Sequence, residues 1–471
     1  MNEKLATDRA PLLEEMLRYR NESNISFHTP GHKGGRGLEP WCQDPDWAGL
    51  DLTEVAGFDW QRGMEEAQDL AAALFRADRS FLLTQGATQG ILAGIAGAFR
   101  PGDTVLIGRN CHSSVIKALI LADLNPVFVA VDQLPEWSIP AGVNLRALQA
   151  SVQNHPEAAG GVFTNPTYQG IAGPVAAYRT LLGPERILFI DEAHGGHFGW
   201  IGRPGYDAHT AADLWVHGAH KMHGSLTQTG WLHLRYGRID EAMVAERLDL
   251  ISTTSPSYLL LASLDSNRRF LAGTGARLFR ERLTAILGWK ERLRAIPGLS
   301  VLSKAALTGG RTVDPWKITL AGSRISGYWM AERLRRDHRI AAEYADSRQV
   351  TLIAAPWQEP QELERLYSAL AALMTGAPPL AQEAAAIPDV IPPLLMRPRQ
   401  AAFGRRDWVA LAQARGRIAA GMIAPYPPGI PALVPGELIG PDQIAWVGSV
   451  ARQGGWVNGM DRQERIPVLI E

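Results

Sequence analysis

Hydrophobic and polar positions along the chain follow two rhythms. Short apolar runs bounded by polar or turn residues predict strands at 81–84, 104–107, 126–131, 161–164, 187–191 and 214–217. Segments with one apolar helical face separate most of them, at 88–99, 114–123 and 145–153. A helix is also expected at 65–76, where Ala67, Leu70, Ala71, Leu74 and Phe75 share a face. Strands and helices in alternation predict an α/β fold with a mostly parallel sheet and right-handed crossovers. The run at 230–234 predicts one more strand, read as antiparallel.

Outside this region the pattern changes. An amphipathic helix is expected at 5–21, then glycine-rich and polar irregular stretches at 27–37 and 51–63. After residue 266 a long helix is expected over 267–296, with Leu283, Ile286, Leu287 and Leu293 among its apolar positions. It leads into a smaller α/β unit with strands near 316–320 and 349–354 and helices near 326–337 and 360–374. The domain reading is therefore an N-terminal helix and loop segment (1–63), a large domain (64–270), a small α/β domain (271–375), a proline-rich linker (376–400) and a C-terminal domain (401–471). A chain of 471 residues suits two or three cores.

The stretch 186–235 carries the densest chemistry. Two apolar runs end in polar residues and present Asp191, His194, His220 and Lys221 at what should be the carboxyl edge of the sheet, where open α/β sheets bind ligands. A lysine there can form an imine with an aldehyde cofactor, and an aspartate can keep a pyridine nitrogen protonated, so pyridoxal phosphate is the cofactor these residues suggest. A lone Asp or Lys is more often a cap or surface group, so the pair needs support elsewhere. Support comes from LLTQGATQG at 82–90, a strand, glycine turn and helix start where Gly86, Ala87 and Thr88 could hold a phosphate. His112 follows the next strand and could lie on the face of a pyridine ring.

Composition narrows the alternatives. Hydrophobic residues make up 46%, charged residues 20%, and the formal net charge is −1, with no basic block for nucleic acid or a membrane surface. No apolar run is long enough to span a bilayer, and the charged N-terminus lacks a signal-peptide core. Cys42 and Cys111 form neither a disulfide framework nor a metal spacing, which points to a reducing cytoplasm. Histidines 194, 197, 209, 217, 220 and 223 crowd together, but without HExxH or paired CxxC spacing, so no metal is expected. FHTPGHKGG at 27–35 lacks the phosphate-loop pattern, which leaves DEAH at 191–194 without a helicase partner.

FHTPGHKGG at 27, DLTEVAGFD at 51, QGATQG at 85, RNCHSSV at 109, NPTYQG at 165, DEAHGGH at 191, HKMHGSLTQ at 220, TTSPSYLLLASLD at 253 and YPPGIPALVPGE at 426 resemble the Orn/Lys/Arg decarboxylase family. The likeness is to its short bacterial form and covers residue 27 to the C-terminus. It implies the aspartate aminotransferase fold and a pyridoxal-phosphate enzyme that decarboxylates a basic amino acid, arginine first, then lysine or ornithine. It implies that Lys221 bonds the cofactor, Asp191 pairs with its ring nitrogen, His112 stacks on the ring and His194 lies near its phenolic oxygen. Gly86, Ala87 and Thr88 would hold the phosphate, with His220 beside cofactor and substrate. Catalytic roles fall to Lys221, His112, His220 and Asp191, and Glu54, Asp59 and Glu437 are the acids considered for the substrate's distal cation. A homodimer or larger assembly with shared sites is also implied.

Two stretches depart from the pattern. Gly218 and Ala219 stand where the family often has serine or threonine, and Ser113 where lysine is common. Cofactor affinity and substrate range are what these changes touch, rather than the use of the cofactor. Other outcomes on the same scaffold are an aminotransferase or oxidative deaminase acting on basic amino acids, or a regulatory homologue without turnover.

Overall fold

The structure is a computed structural model, describing residues 7–22, 30, 36, 39, 44–202, 205–323, 325–375, 387–426 and 429–470. Most of the 27–37 loop and the 376–386 part of the expected linker lie outside these residues. The chain divides into two compact units, Met1–Ala98 with Asp191–Arg280 and Phe99–Ile190 with Glu281–Glu471.

In the first unit, the strands Arg79–Leu83, Gly230–Leu234 and Leu214–His217 are neighbours in that order. Gly230–Leu234 runs antiparallel to both, so the 230–234 reading holds. Its fully buried pattern suits a strand covered on both faces. The helix Gly86–Ala98 packs on these strands and on the helix Glu241–Ile251. Small residues make that approach possible. A Cβ at Gly97 would lie 2.8 Å from the Val244 Cα, and one at Gly90 would lie 2.8 Å from Leu83 Cδ1 and 2.9 Å from Val216 Cγ2.

The helices Pro11–Asn21, Trp60–Phe75 and Tyr258–Phe270 close a second core of Leu12, Met16, Phe58, Ala67, Tyr258 and Leu261. Buried Asp265 anchors the first of them by accepting the N–H groups of Leu12 (3.0 Å) and Leu13 (3.3 Å), where a carboxylate is favoured by the unpaired amides of a helix start. Arg268 pairs with Asp265 at 3.3 Å and donates to the Thr7 carbonyl at 2.8 Å.

The second unit holds the parallel strands. Thr104–Gly108 runs parallel to Asn125–Val129 and to Gly160–Thr164, and Ile187–Asp191 follows next in order. The helices Ser113–Leu121, Leu145–Asn154 and Val175–Leu182 supply the alternation expected from the sequence. Farther along, four strands in the order Leu299–Val301, Lys317–Gly322, Gln349–Ile353 and Tyr344–Ala345 form an antiparallel sheet. The helices Gly327–His338 and Pro360–Thr375 accompany it. The C-terminal part pairs Arg406–Ala410 with Arg465–Leu469 and Ala424–Tyr426 with Trp456–Asn458 around Ile423, Leu433, Val447 and Ile466.

The continuous helix expected over 267–296 is corrected. Tyr258–Phe270 passes into a π turn at Leu271–Gly275, then into Ala276–Glu281 and Leu283–Arg294. The LAGTG sequence places two glycines in one turn, which weakens the regular ladder there. The helix expected at 65–76 begins earlier, at Trp60, and ends where Arg76 takes a left-handed conformation with φ 57°.

Gly97→Ala places its Cβ against the backbone of Val244 and should lower stability in urea by about 1–3 kcal/mol. Gly288→Ala, in the open interior of Leu283–Arg294, should raise it by about 0.5–1 kcal/mol. Equal shifts in the two urea midpoints would contradict this packing.

Candidate active site

Two consecutive segments of the first unit build the site. Asp191 closes the ILFID strand and is 3% exposed, its Oδ1 accepting the Ala193 N–H at 3.2 Å. The chain then turns tightly, with Gly195 N–H donating to the Glu192 carbonyl at 2.9 Å. The strand Leu214–His217 ends at Gly218, whose N–H donates to the Ala193 carbonyl at 3.1 Å. That bond draws the residues after Asp191 to those before Lys221. Ala219 N–H donates to the Thr229 carbonyl at 3.1 Å, and the short helix Ala219–Met222 presents Lys221.

Lys221 Nζ lies 3.0 Å from His194 Nε2. A protonated Lys221 donates there, which puts the His194 ring proton on Nδ1. His220 Nδ1 is 2.9 Å from the Thr229 carbonyl oxygen, a group that only accepts, so Nδ1 carries the proton and Nε2 is left for other chemistry. Gly218 explains part of this shape. A Cβ there would lie 2.9 Å from the Ala193 carbonyl oxygen and 3.0 Å from Lys221 Cδ.

Gly86, Ala87 and Thr88 start the helix Gly86–Ala98, and the first amides of any helix lack intrahelical acceptors. Gly86 has φ +68° and open space beyond its missing Cβ, while its own N–H is held by the Gln228 carbonyl at 2.7 Å. Gly230 is needed on the strand beneath, where a Cβ would meet the His217 carbonyl oxygen at 2.8 Å and the Ala87 nitrogen at 3.0 Å. A helix start with a hydroxyl, an amine and a buried carboxylate in one unit is a donor set that fits an aldehyde cofactor bearing phosphate.

Glu54, half-buried in the first unit, accepts from Thr53 Oγ1 and Tyr258 Oη, each at 3.1 Å. Burial, with Glu54 beside it, pushes the Tyr258 hydroxyl well above its ordinary range. Asp59 is exposed and sits at the N-cap of Trp60–Phe75 without a side-chain capping bond. His112 belongs to the second unit, where it caps Ser113–Leu121, its Nδ1 2.8 Å from Ser114 Oγ and accepting the Ser114 N–H. Glu437, also in that unit, is fully buried. It is paired with Arg109 at 3.0 Å and accepts the Val434 N–H at 2.7 Å, so its carboxylate is already committed to the protein. Burial pushes its carboxyl up against the pull of Arg109.

Sequence reasoning passed over a buried polar chain behind these residues. Glu192 Oε2 is 2.8 Å from His217 Nε2, His217 Nδ1 is 3.1 Å from His233 Nε2, and His233 Nδ1 is 2.6 Å from Ser80 Oγ. Phe75 packs against His217 and His233 at ring distances of 5.0 and 4.7 Å. Burial raises the Glu192 carboxyl well above its ordinary range and lowers His217 and His233 well below theirs, while His223 falls to about 3. The signal was the histidine placed two residues after tryptophan in both LWVH and GWLHL. Of the crowded histidines, His217 is thus held by Glu192 and His233, His194 faces Lys221 and His220 faces the Thr229 carbonyl. Among the described residues no group of three or more metal-ligating side chains is placed to hold a metal.

Comparison with known proteins adds a separate line. The major domain of Orn/Lys/Arg decarboxylases matches residues 10–324 and their C-terminal domain residues 383–450. An arginine decarboxylase of Bacillus subtilis is 31% identical over 453 residues, spanning 93% of this chain and 92% of its own. The lysine decarboxylase LdcA of Pseudomonas aeruginosa is 24% identical over 552 residues, covering 91% of this chain and 73% of its own. The crystal structure of the Francisella novicida lysine decarboxylase LdcF has the same fold, with a TM-score of 0.83 at 19% identity over 98% of this chain and 81% of that one.

The buried neutral histidines set a pH dependence. Their folded pKa values lie below the unfolded value of about 6.5, so below that pH the unfolded chain takes up protons that the native chain refuses. Each costs up to about 1.4 kcal/mol per pH unit, while Glu192, with its raised value, acts in the opposite sense. Asp265 and Glu437, also raised by burial, act with Glu192, but the four lowered histidines His209, His217, His223 and His233 outnumber these three carboxyls, so the urea midpoint should fall between pH 6.5 and pH 5. A midpoint that rises over this interval would contradict the burial described.

Proposed function

The chain belongs to the Orn/Lys/Arg decarboxylase family, and from that footing we propose that it decarboxylates arginine, with pyridoxal phosphate as its cofactor. The observation that supports this most directly is Lys221 Nζ on His194 Nε2, in a segment bonded through Gly218 to the residues following Asp191. The family consists of pyridoxal-phosphate enzymes that act on basic amino acids. The relatives named arginine decarboxylase match over nearly their whole length, which favours arginine over lysine and ornithine.

Lys221 Nζ is the amine that would attach the cofactor, with His194 fixing its direction. Asp191 would hold the proton of the ring nitrogen, and the buried position of its carboxylate strengthens that attraction. The amides at Gly86, Ala87 and Thr88, with the Thr88 hydroxyl, would hold the phosphate. His112 would cover the ring. Bound pyridoxal phosphate supplies an electron sink for the carbon that loses its carboxylate. His220, with Nδ1 held by Thr229, can hold a proton at Nε2, and Lys221 and His112 are the other groups able to deliver one to that carbon. Glu54, held by Thr53 and Tyr258, is the acid we assign to the distal cation in preference to exposed Asp59 and paired Glu437. The family also supports a homo-oligomer for this chain.

Protein loaded with pyridoxal phosphate should release carbon dioxide and agmatine from arginine faster than cadaverine from lysine. Lys221→Ala should lower the rate by about a thousandfold or more. A keto acid or ammonia as product would overturn the reading. Glu54→Gln should raise KM for arginine by about tenfold with kcat less affected, since it removes one charged hydrogen bond. An unchanged KM would remove Glu54 from the substrate site.

A further inference from the structure

The chain of Glu192, His217, His233 and Ser80 lies apart from any role assigned so far. All four residues are at most 3% exposed. Its three bonds admit two proton arrangements that leave both imidazoles neutral. In one, the Glu192 carboxyl donates to His217 Nε2, His217 Nδ1–H donates to His233 Nε2, and His233 Nδ1–H donates to Ser80 Oγ. In the other every donor is reversed, and Glu192 is an anion accepting from His217 Nε2–H while the Ser80 hydroxyl donates to His233.

Magnitudes choose between them. The first arrangement leaves one serine hydroxyl hydrogen without an acceptor in this chain, a cost of about 1–3 kcal/mol. The second buries a carboxylate whose donors are the Ala208 N–H at 2.8 Å and His217, and such desolvation costs several kcal/mol. The charged neighbours that act on Glu192 are Asp191 and Asp207, both of like sign. Arg76 and His209 border the same small pocket, but Arg76 faces His209 and His209 lies near Asp207. Moving the proton onto His217 would create two buried charges, with His223, His233 and His209 opposing the cation.

We propose that Glu192 is a positioning residue: its carboxyl stays protonated at neutral pH, donates to His217, and directs a one-way chain to His233 and Ser80. This clamps the segment after Asp191 to the strand leading to Lys221, in parallel with the Ala193–Gly218 backbone bond. It also keeps a second negative charge from standing beside Asp191, the residue proposed to face the cofactor's ring nitrogen. The inference rests on Asp191 and Lys221 as cofactor residues for its consequence, though not for the protonation itself.

The test compares wild type, Glu192→Gln and Glu192→Ala as cofactor-loaded holoenzymes at pH 7. Infrared difference spectra of wild type minus Glu192→Gln should contain a protonated-carboxyl C=O stretch that shifts in deuterium oxide. Asp265 and Glu437, whose carboxyls are also raised by burial, cancel in that difference. Glutamine keeps a neutral acceptor and an N–H donor, so kcat should stay within about threefold of wild type. Glu192→Ala should lower kcat by about tenfold to a hundredfold with KM changed less, the split expected of misplaced groups rather than lost binding. A carboxylate band in place of the protonated one overturns the proposal, as does a glutamine variant no better than alanine. If alanine fails to fold, the infrared comparison with glutamine still decides. Should Lys221→Ala retain activity while the protonated band is present, the assignment of the active site fails and the protonation of Glu192 stands.

Discussion

One backbone hydrogen bond governs the geometry of the site, from Gly218 N–H to the Ala193 carbonyl oxygen at 3.1 Å. It joins the turn after Asp191 to the turn before Lys221, so the buried carboxylate and the amine belong to one rigid corner. The bond constrains its own donor. A side chain at residue 218 would press on the same carbonyl oxygen and on the Lys221 methylenes, so glycine and the observed path of Lys221 go together. In the sequence Gly218 was a departure that removed a hydroxyl. In the structure it is also what lets the lysine fold back toward His194.

The turn proposed to hold the phosphate shows the same economy at Gly86 and Gly230. Glycine at 230 brings the strand against the start of the helix Gly86–Ala98, and glycine at 86 takes a left-handed conformation that leaves space over the turn. With Gly218 and Ala219 offering no hydroxyl, the proposed phosphate site would rest more heavily on Thr88 and the helix amides. Each close approach depends on an absent side chain, so the corner is shaped by backbone more than by packing.

Much of this was legible in the sequence because it is local. The strand ILFID, the turn QGATQG and the segment HGAHKMH carry their signals within a few residues, and their order along the chain fits one kind of site. Contacts set by register were not legible. His217 sits opposite Trp231 and His233 opposite Trp215, which makes the two histidines diagonal neighbours, and no single-sequence pattern fixes that pairing. The commitment of Glu437 to Arg109 was hidden for the same reason, since the two residues are far apart in the chain. The break at LAGTG was missed because glycine lowers helix propensity without dictating where a helix ends. The C-terminal strand pairs were missed because their strands are short and pair across long separations.

The central claim is that Lys221 is the residue that holds the cofactor. Borohydride reduction of the pyridoxal-phosphate-loaded protein, followed by peptide mass mapping, tests it directly. The phosphopyridoxyl mass should appear on the peptide containing Lys221 and be lost in Lys221→Ala. A label on another lysine, or none on the wild-type protein, would contradict it.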